Sequence, residues 1–188
     1  MIQLKTIFDF ADEMEILHRL QRTGYVMTGV TNPQTVGTHT FGVALWSMLL
    51  VERMENKEEI SMEKVLKMAV LHEAAEARIS DIPRPGREII GDKTVSDSER
   101  KIAKDILKDF PEEWINTWNE FEDAETLEAR VVKAADKLEM MHKILCYEKH
   151  GRGRFDKFWD WEKNFPDNGI PEAREIFFEM KNRHFKKG

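Results

Sequence analysis

The chain has 188 residues, 41% apolar and 34% charged, which fits one compact domain or a domain with a small appendage and excludes a disordered or fibrous chain. A formal charge of −6, from 35 acids against 29 bases, argues against a broad basic field that would clamp polymeric nucleic acid or an anionic membrane. A small anion at one pocket stays compatible, because a bound divalent cation can reverse the local sign.

The single Cys146 excludes an intrachain disulfide framework and a Cys-rich zinc site, so any metal must be held by His and carboxylates; the lone thiol itself is expected in the core. Apolar stretches such as Val43 to Val51 fall well short of the roughly 20 residues that span a membrane. The N-terminal MIQLKTIFDFADEME carries acids where a leader peptide would carry bases, and a soluble, cytoplasmic protein is expected.

No window shows sustained apolar and polar alternation, whereas many show apolar residues three and four apart, so the fold class is all-α. The first helix is predicted from about Phe8 to Gln21, with Phe10, Met14, Leu17 and Leu20 on one face, and TGYVMTGVTNPQTVG is predicted as a loop. The next helix carries Phe41, Leu45, Met48 and Leu49 toward Met54. Ser61 caps a third, running to about Ile79, whose near-continuous apolar surface marks it as central and buried. SDIPRPG is a loop, because Pro83 and Pro85 remove donors and restrict their predecessors. Further helices are predicted over Thr94 to Lys108, from Pro111 through Trp114 and Trp118, over Thr126 to Tyr147, Phe155 to Asn164 and Pro171 to Phe185. With no repeat or linker, residues 1–188 read as a single domain.

Several polar groups sit where a helical core would not place them without a reason. His39 shares a face with Gly42, Val43 and Trp46. His72 has Met68, Ala69 and Ala75 as helical neighbours, with Glu73 next to it and Glu76 one turn on. Asp136 lies between Val132 and Met140, where an unpaired carboxylate would cost several kcal/mol. Each has an ordinary explanation alone: a hydrogen-bonded core histidine, a solvated acidic face, a surface bridge from Asp136 to Lys133. Three buried-looking helices that all present ligand-type groups are better explained jointly, because one shared divalent cation satisfies them together.

The order His39, His72-Glu73, Asp136 resembles the H…HD…D metal signature of the HD-domain phosphohydrolases. The segments RTGYVMTGV (Arg22 to Val30), Pro33, Thr35-Val36, LHEAAEA (Leu71 to Ala77), SDIPRP (Ser80 to Pro85), FPEEW (Phe110 to Trp114) and VVKAADKLEMM (Val131 to Met141) are similar to the 5′-deoxynucleotidase subgroup of that family. The resemblance implies an HD-domain bundle of about seven to eight helices. It also implies one divalent cation (Mn, Co, Ni, Fe, Zn or Mg) held by His39, His72, Glu73 and Asp136, and hydrolysis of nucleoside 5′-monophosphates to nucleoside and phosphate. By the same resemblance Glu76 is the acid/base carboxylate, Asp81 helps to position water and Arg22 binds the phosphate. Arg22 suits that task because its planar fork takes a phosphate bidentately. Homodimerisation is implied by the resemblance only.

The departure is Glu73, where the family pattern has aspartate. One extra methylene moves the carboxylate by about 1.5 Å along an extended arm, so metal binding with altered affinity or preference is expected. Two other readings compete: an HD-fold binding protein whose activity has been weakened through Glu73, and a di-metal carboxylate bundle suggested by Glu15-Ile-Leu-His18 and Glu139-Met-Met-His142. The first is opposed by the presence together of Arg22, Glu76 and Asp81, the second by the order of the motifs. A zinc protease is excluded because His72-Glu73-Ala-Ala-Glu76 lacks the second histidine of H-E-x-x-H. His18, His142, His150 and His184 are expected at the surface or at helix ends, and FWDWEKNF (Phe158 to Phe165) is expected to close the core.

Overall fold

The protein is described by a computed structural model covering residues 2–186. Its helices are α1 (Leu4–Met14), α2 (Thr23–Met27), α3 (Val36–Arg53), α4 (Met62–Leu71), α5 (Glu76–Ile79), α6 (Arg84–Ile90), α7 (Asp92–Leu107), α8 (Glu112–Asp123), α9 (Leu127–Lys149), α10 (Asp156–Asp160) and α11 (Pro171–Phe185), with 3₁₀ turns at Glu15–His18, Lys57–Glu59 and Glu162–Asn164. Eight of these have seven or more residues, and no strand occurs among the described residues, as expected for an all-α HD-type bundle. No helix is long and apolar enough to cross a membrane.

The centre of the bundle is α9, against which α3, α4, α8 and α11 all pack. Small residues (Ala129, Ala134, Ala135) alternate there with Val131, Val132, Leu138, Met141 and Ile144, all fully buried, so neighbouring helices approach on more than one side. The helix starting at Ser61 is therefore not the central one: it buries Val65, Met68, Ala69 and Leu71, but Val70 is exposed. Three hydroxyls cap the major helices: Thr35 accepts from Thr38 N–H, Ser61 from Lys64 N–H and Thr126 from Ala129 N–H. The Trp-containing segment does close the core, with Phe155 and Trp159 buried and Phe158 and Phe165 packed against it.

Several boundaries differ from expectation for identifiable reasons. The first helix begins at Leu4 and ends at Met14, giving way to a 3₁₀ turn. Leu20 to Arg22 then pair with Gln34 to Val36: Val36 N–H donates to Leu20 O at 2.8 Å and Arg22 N–H to Gln34 O at 3.0 Å. The expected loop at Thr23 contains α2, because Asp81, 58 residues away, accepts the Thr23 N–H at 2.5 Å and supplies a cap no local sequence shows. The expected helix to Ile79 stops at Leu71 and resumes at Glu76 through three-residue hydrogen bonds, Ala74 N–H to Leu71 O and Glu76 N–H to Glu73 O. Pro83 and Pro85 end nothing further downstream; they open α6, where the first N–H groups have no intrahelical acceptor to lose. Pro111 stands just before α8 rather than inside it. The predicted helix over Phe155 to Asn164 is α10 followed by a 3₁₀ turn. Cys146 is only half-buried. Phe41, Leu45, Met48 and Leu49 face outward on α3, whose buried face is Val36, His39, Val43, Ser47 and Leu50.

The central position of α9 predicts that Ile144→Ala lowers stability by about 2–5 kcal/mol, through lost transfer energy and a cavity. The outward Phe41→Ser should change stability by less than about 0.5 kcal/mol. Urea midpoints at unchanged m-value check both.

Candidate functional site

Four backbone segments converge beside the middle of α9. From α3 comes His39; from the tightened turn after α4 come His72 and Glu73, with Glu76 opening α5; from α9 comes Asp136; and from the paired segment before α2 comes Arg22. The break at His72 matters here, because a continuous α-helix would set successive side chains about 100° apart, whereas three-residue hydrogen bonding swings them further round each turn.

One ligand atom from each of His39, His72 and Glu73 lies within 4.8 Å of the others. Glu73 Oε1 is 3.6 Å from Nε2 of His39 and 3.6 Å from Nε2 of His72, and Asp136 Oδ1 is 3.1 Å from His39 Nε2. Each imidazole is held by its other nitrogen: His72 Nδ1 donates to Ala69 O at 2.7 Å and His39 Nδ1 to Glu139 Oε2 at 2.6 Å. Both Nε2 atoms, and Oε2 of Glu76, are buried without an aligned hydrogen-bond partner. Orphaned buried nitrogens facing carboxylate oxygens at these separations fit a divalent cation, whose ligand atoms at about 2.1 Å from one ion stand roughly 3–3.5 Å apart.

Arg22 occupies the flank, donating to Glu73 Oε1 at 2.8 Å and lying 3.7 Å from Asp81 Oδ1. Burial opposes its charge, but Glu73, Asp81, Glu76 and Asp136 outweigh that and hold the guanidinium protonated. Asp81 is fixed by Thr23, which donates to its side chain through N–H and to its carbonyl through Oγ1. The residue before it, Ser80, has φ +72° and ψ 165°, a conformation costing on the order of 1–3 kcal/mol outside glycine. Asp81 is thus both the cap of α2 and a neighbour of Arg22.

The acids titrate apart. Burial pushes Glu76 well above the usual carboxylate range, Glu73 adds to it, and Arg22 only partly offsets them. Burial also disfavours the Asp136 carboxylate, yet Lys137, whose ammonium lies 3.0 Å from Oδ2, and His39 hold it well below that range. Against burial, His72, Arg22 and His39 hold Glu73 low. Burial lowers His72, whereas the partners Asp136 and Glu139 raise His39 against burial and Arg22.

Every residue proposed from the sequence is therefore within this cluster, although Lys133 reaches Glu122 instead of Asp136. The sequence reading missed the role of Glu139, which it weighed only as part of a di-metal motif. Glu15 and His18 are exposed and far from forming such a pair, and His142 faces Trp46. The available signal was that Glu139 follows Asp136 by three residues, on the same face of an apolar helix.

Glu99 of α7 adds to the repulsion on Glu76, and its own carboxyl, buried beside Arg87, is pushed up to about 7 by burial. A native value above the free glutamate's, about 4.3, stabilises the fold fully only below that value, and this stabilisation is lost as pH rises to about 7. Relative to Glu99→Gln, the wild type should lose on the order of 1–2 kcal/mol between about pH 4.5 and 7.5, a figure discounted for solvent reaching the group. Urea unfolding of the metal-free proteins at both pH values checks this; a constant difference refutes it.

The HD domain family matches residues 14–173. A 5′-deoxynucleotidase of Dictyostelium discoideum is 31% identical over 144 residues, 71% of this chain and 73% of that protein. A human 5′-deoxynucleotidase is 27% identical over 160 residues, 83% of this chain and 76% of its own length. A conserved hypothetical protein of Pyrococcus furiosus superimposes with a TM-score of 0.81 at 33% identity, over 93% of this chain and 99% of that structure. With the family match extending over most of its length and the same helical architecture in a solved relative, the chain belongs to the HD-domain family.

Proposed function

We propose that this chain, as one HD-type domain over residues 1–188, is a cytoplasmic, divalent-metal-dependent phosphomonoesterase that hydrolyses (deoxy)ribonucleoside 5′-monophosphates to nucleoside and phosphate. The observation that carries the reading is the pair of buried, unpartnered Nε2 atoms of His39 and His72 facing the carboxylates of Glu73 and Asp136, with Arg22 alongside. The similarity to proteins named 5′-deoxynucleotidases supports the substrate class.

Phosphate monoester hydrolysis is among the slowest uncatalysed reactions, so the site must neutralise the phosphoryl oxygens and poise a water. A single divalent cation bound by His39, His72, Glu73 and Asp136 would supply Lewis acidity and lower the pKa of water. Arg22, which donates one N–H to Glu73, would offer its remaining N–H groups to the phosphate. Glu76, whose carboxyl burial pushes well above the usual range, would give a proton to the departing 5′ oxygen and take one back from water. Asp81, anchored by Thr23, orients water near Arg22.

The extra methylene of Glu73 lets one oxygen lie equally far from both imidazoles while touching Arg22, so the longer arm spans cation and phosphate positions. A homodimer, implied by the resemblance alone, belongs to the same reading.

Purified protein should release phosphate from a panel of ribo- and deoxyribonucleoside 5′-monophosphates with Mn²⁺, Co²⁺, Ni²⁺ or Mg²⁺. Folded protein with no metal-dependent release from any of them would sink the reading and leave the binding-protein alternative. Asp136→Ala should lose bound metal on elemental analysis. Glu76→Gln should keep the metal and drop kcat by about 10²–10⁴-fold; unchanged turnover removes Glu76 from the acid/base role.

A further inference from the structure

We propose that Glu139 is a positioning residue that sets the tautomer and aim of His39, and that Gly42 and Gln34 exist in this chain to let it do so. The inference rests on the reading of His39 Nε2 as a metal donor. Glu139 is only 5% exposed, and both its oxygens are taken: Oε2 accepts from His39 Nδ1 at 2.6 Å and Oε1 accepts from Gln34 Nε2 at 2.6 Å. A buried carboxylate gives a helix interior no advantage over an apolar side chain of similar volume. Its retention among Leu138, Met140 and Met141 therefore points to what it holds.

With Nδ1 donating to a carboxylate, the proton of a neutral His39 is fixed there and the Nε2 lone pair is aimed at Glu73 and Asp136. His72 is held at Nδ1 by a neutral backbone carbonyl instead, so only His39 has a charged acceptor behind it. The backbone is shaped to admit the contact. A Cβ at Gly42, three residues after His39 on the same helix, would stand 2.6 Å from Glu139 Cγ and 2.7 Å from Oε1, and Glu139 would have to withdraw. Gln34 is itself anchored, its N–H donating to Tyr147 Oη at 2.7 Å and its carbonyl accepting from Arg22 N–H at 3.0 Å. One buried carboxylate thus links the ring proposed to hold the cation, through Gln34, to the backbone of Arg22.

The test uses the whole chain, with Mn²⁺ and Co²⁺ as probes in titration calorimetry, and long-range ¹⁵N spectra of the histidines at a pH where the rings are neutral. Wild-type His39 should show the Nδ1–H form. Glu139→Gln and Gly42→Ala should each weaken Mn²⁺ binding by about 10–100-fold and alter the visible spectrum of bound Co²⁺. Both substitutions are made because one alone could unsettle the fold. If wild-type protein binds either ion and both variants, folded by circular dichroism, bind equally well, the positioning role is overturned. If wild-type protein binds neither ion, the metal reading of the site fails. The tautomer then decides the inference alone: a wild-type His39 protonated at Nε2, or unchanged when Glu139→Leu removes the acceptor, overturns it, and an Nδ1–H form lost in that variant supports it. If neither Glu139→Gln nor Gly42→Ala folds, the same tautomer criterion in the wild type decides.

Discussion

The structure is organised by the burial of charge. Glu73, Glu76, Asp136 and Glu139 are largely withdrawn from water where α3, the middle of α9 and the turn after α4 meet, and Arg22 is the cation most of them share. Removing one partner from such a set leaves a charge uncompensated at about 3–5 kcal/mol, whereas replacing the whole set with apolar side chains is often neutral or favourable. A chain selected for stability alone would not keep it. The backbone irregularities answer to this cluster: the tightened turn at His72, the positive φ of Ser80, and a glycine where α3 meets Glu139.

The same helix serves both the core and the site. Along α9, Val132, Ala135 and Leu138 pack inward while Asp136 and Glu139 face the cluster, so their positions are set by the most buried element of the fold. Packing at near-crystalline density fixes side chains to a few rotamers, which is what a ligand set with tolerances of tenths of an ångström needs. Arg22 and Asp81, by contrast, sit on short irregular segments joined to each other through Thr23. Such segments are where a binding group can adjust to what it receives.

Glu73 shows how a break in a helix can aim a long carboxylate arm. The helix is already broken at His72, so the carboxylate does not leave along a regular helical direction, and its longer arm ends between the two imidazoles. Its contact with the Arg22 guanidinium helps to hold the Glu73 carboxyl low against burial.

Much of this was legible in the sequence, because the signals are local. Helical periodicity and the hydroxyl cap at Ser61 place the main elements; ligand-type residues on apolar faces single out His39, His72 and Asp136. Only the tertiary structure decided the rest, and in each case the cause lies far along the chain. The helix α2 forms because Asp81 caps it from 58 residues away, α9 rather than α4 is central because four helices use its small residues, and the apolar strip of α3 is outward because His39 turns the opposite face inward. Glu139 reads in the sequence only as half of a Glu-x-x-His spacing until α3 brings a glycine and an imidazole against it. Periodicity records which face of a helix differs from the others; which neighbour meets that face is a long-range contact, and no local pattern encodes it.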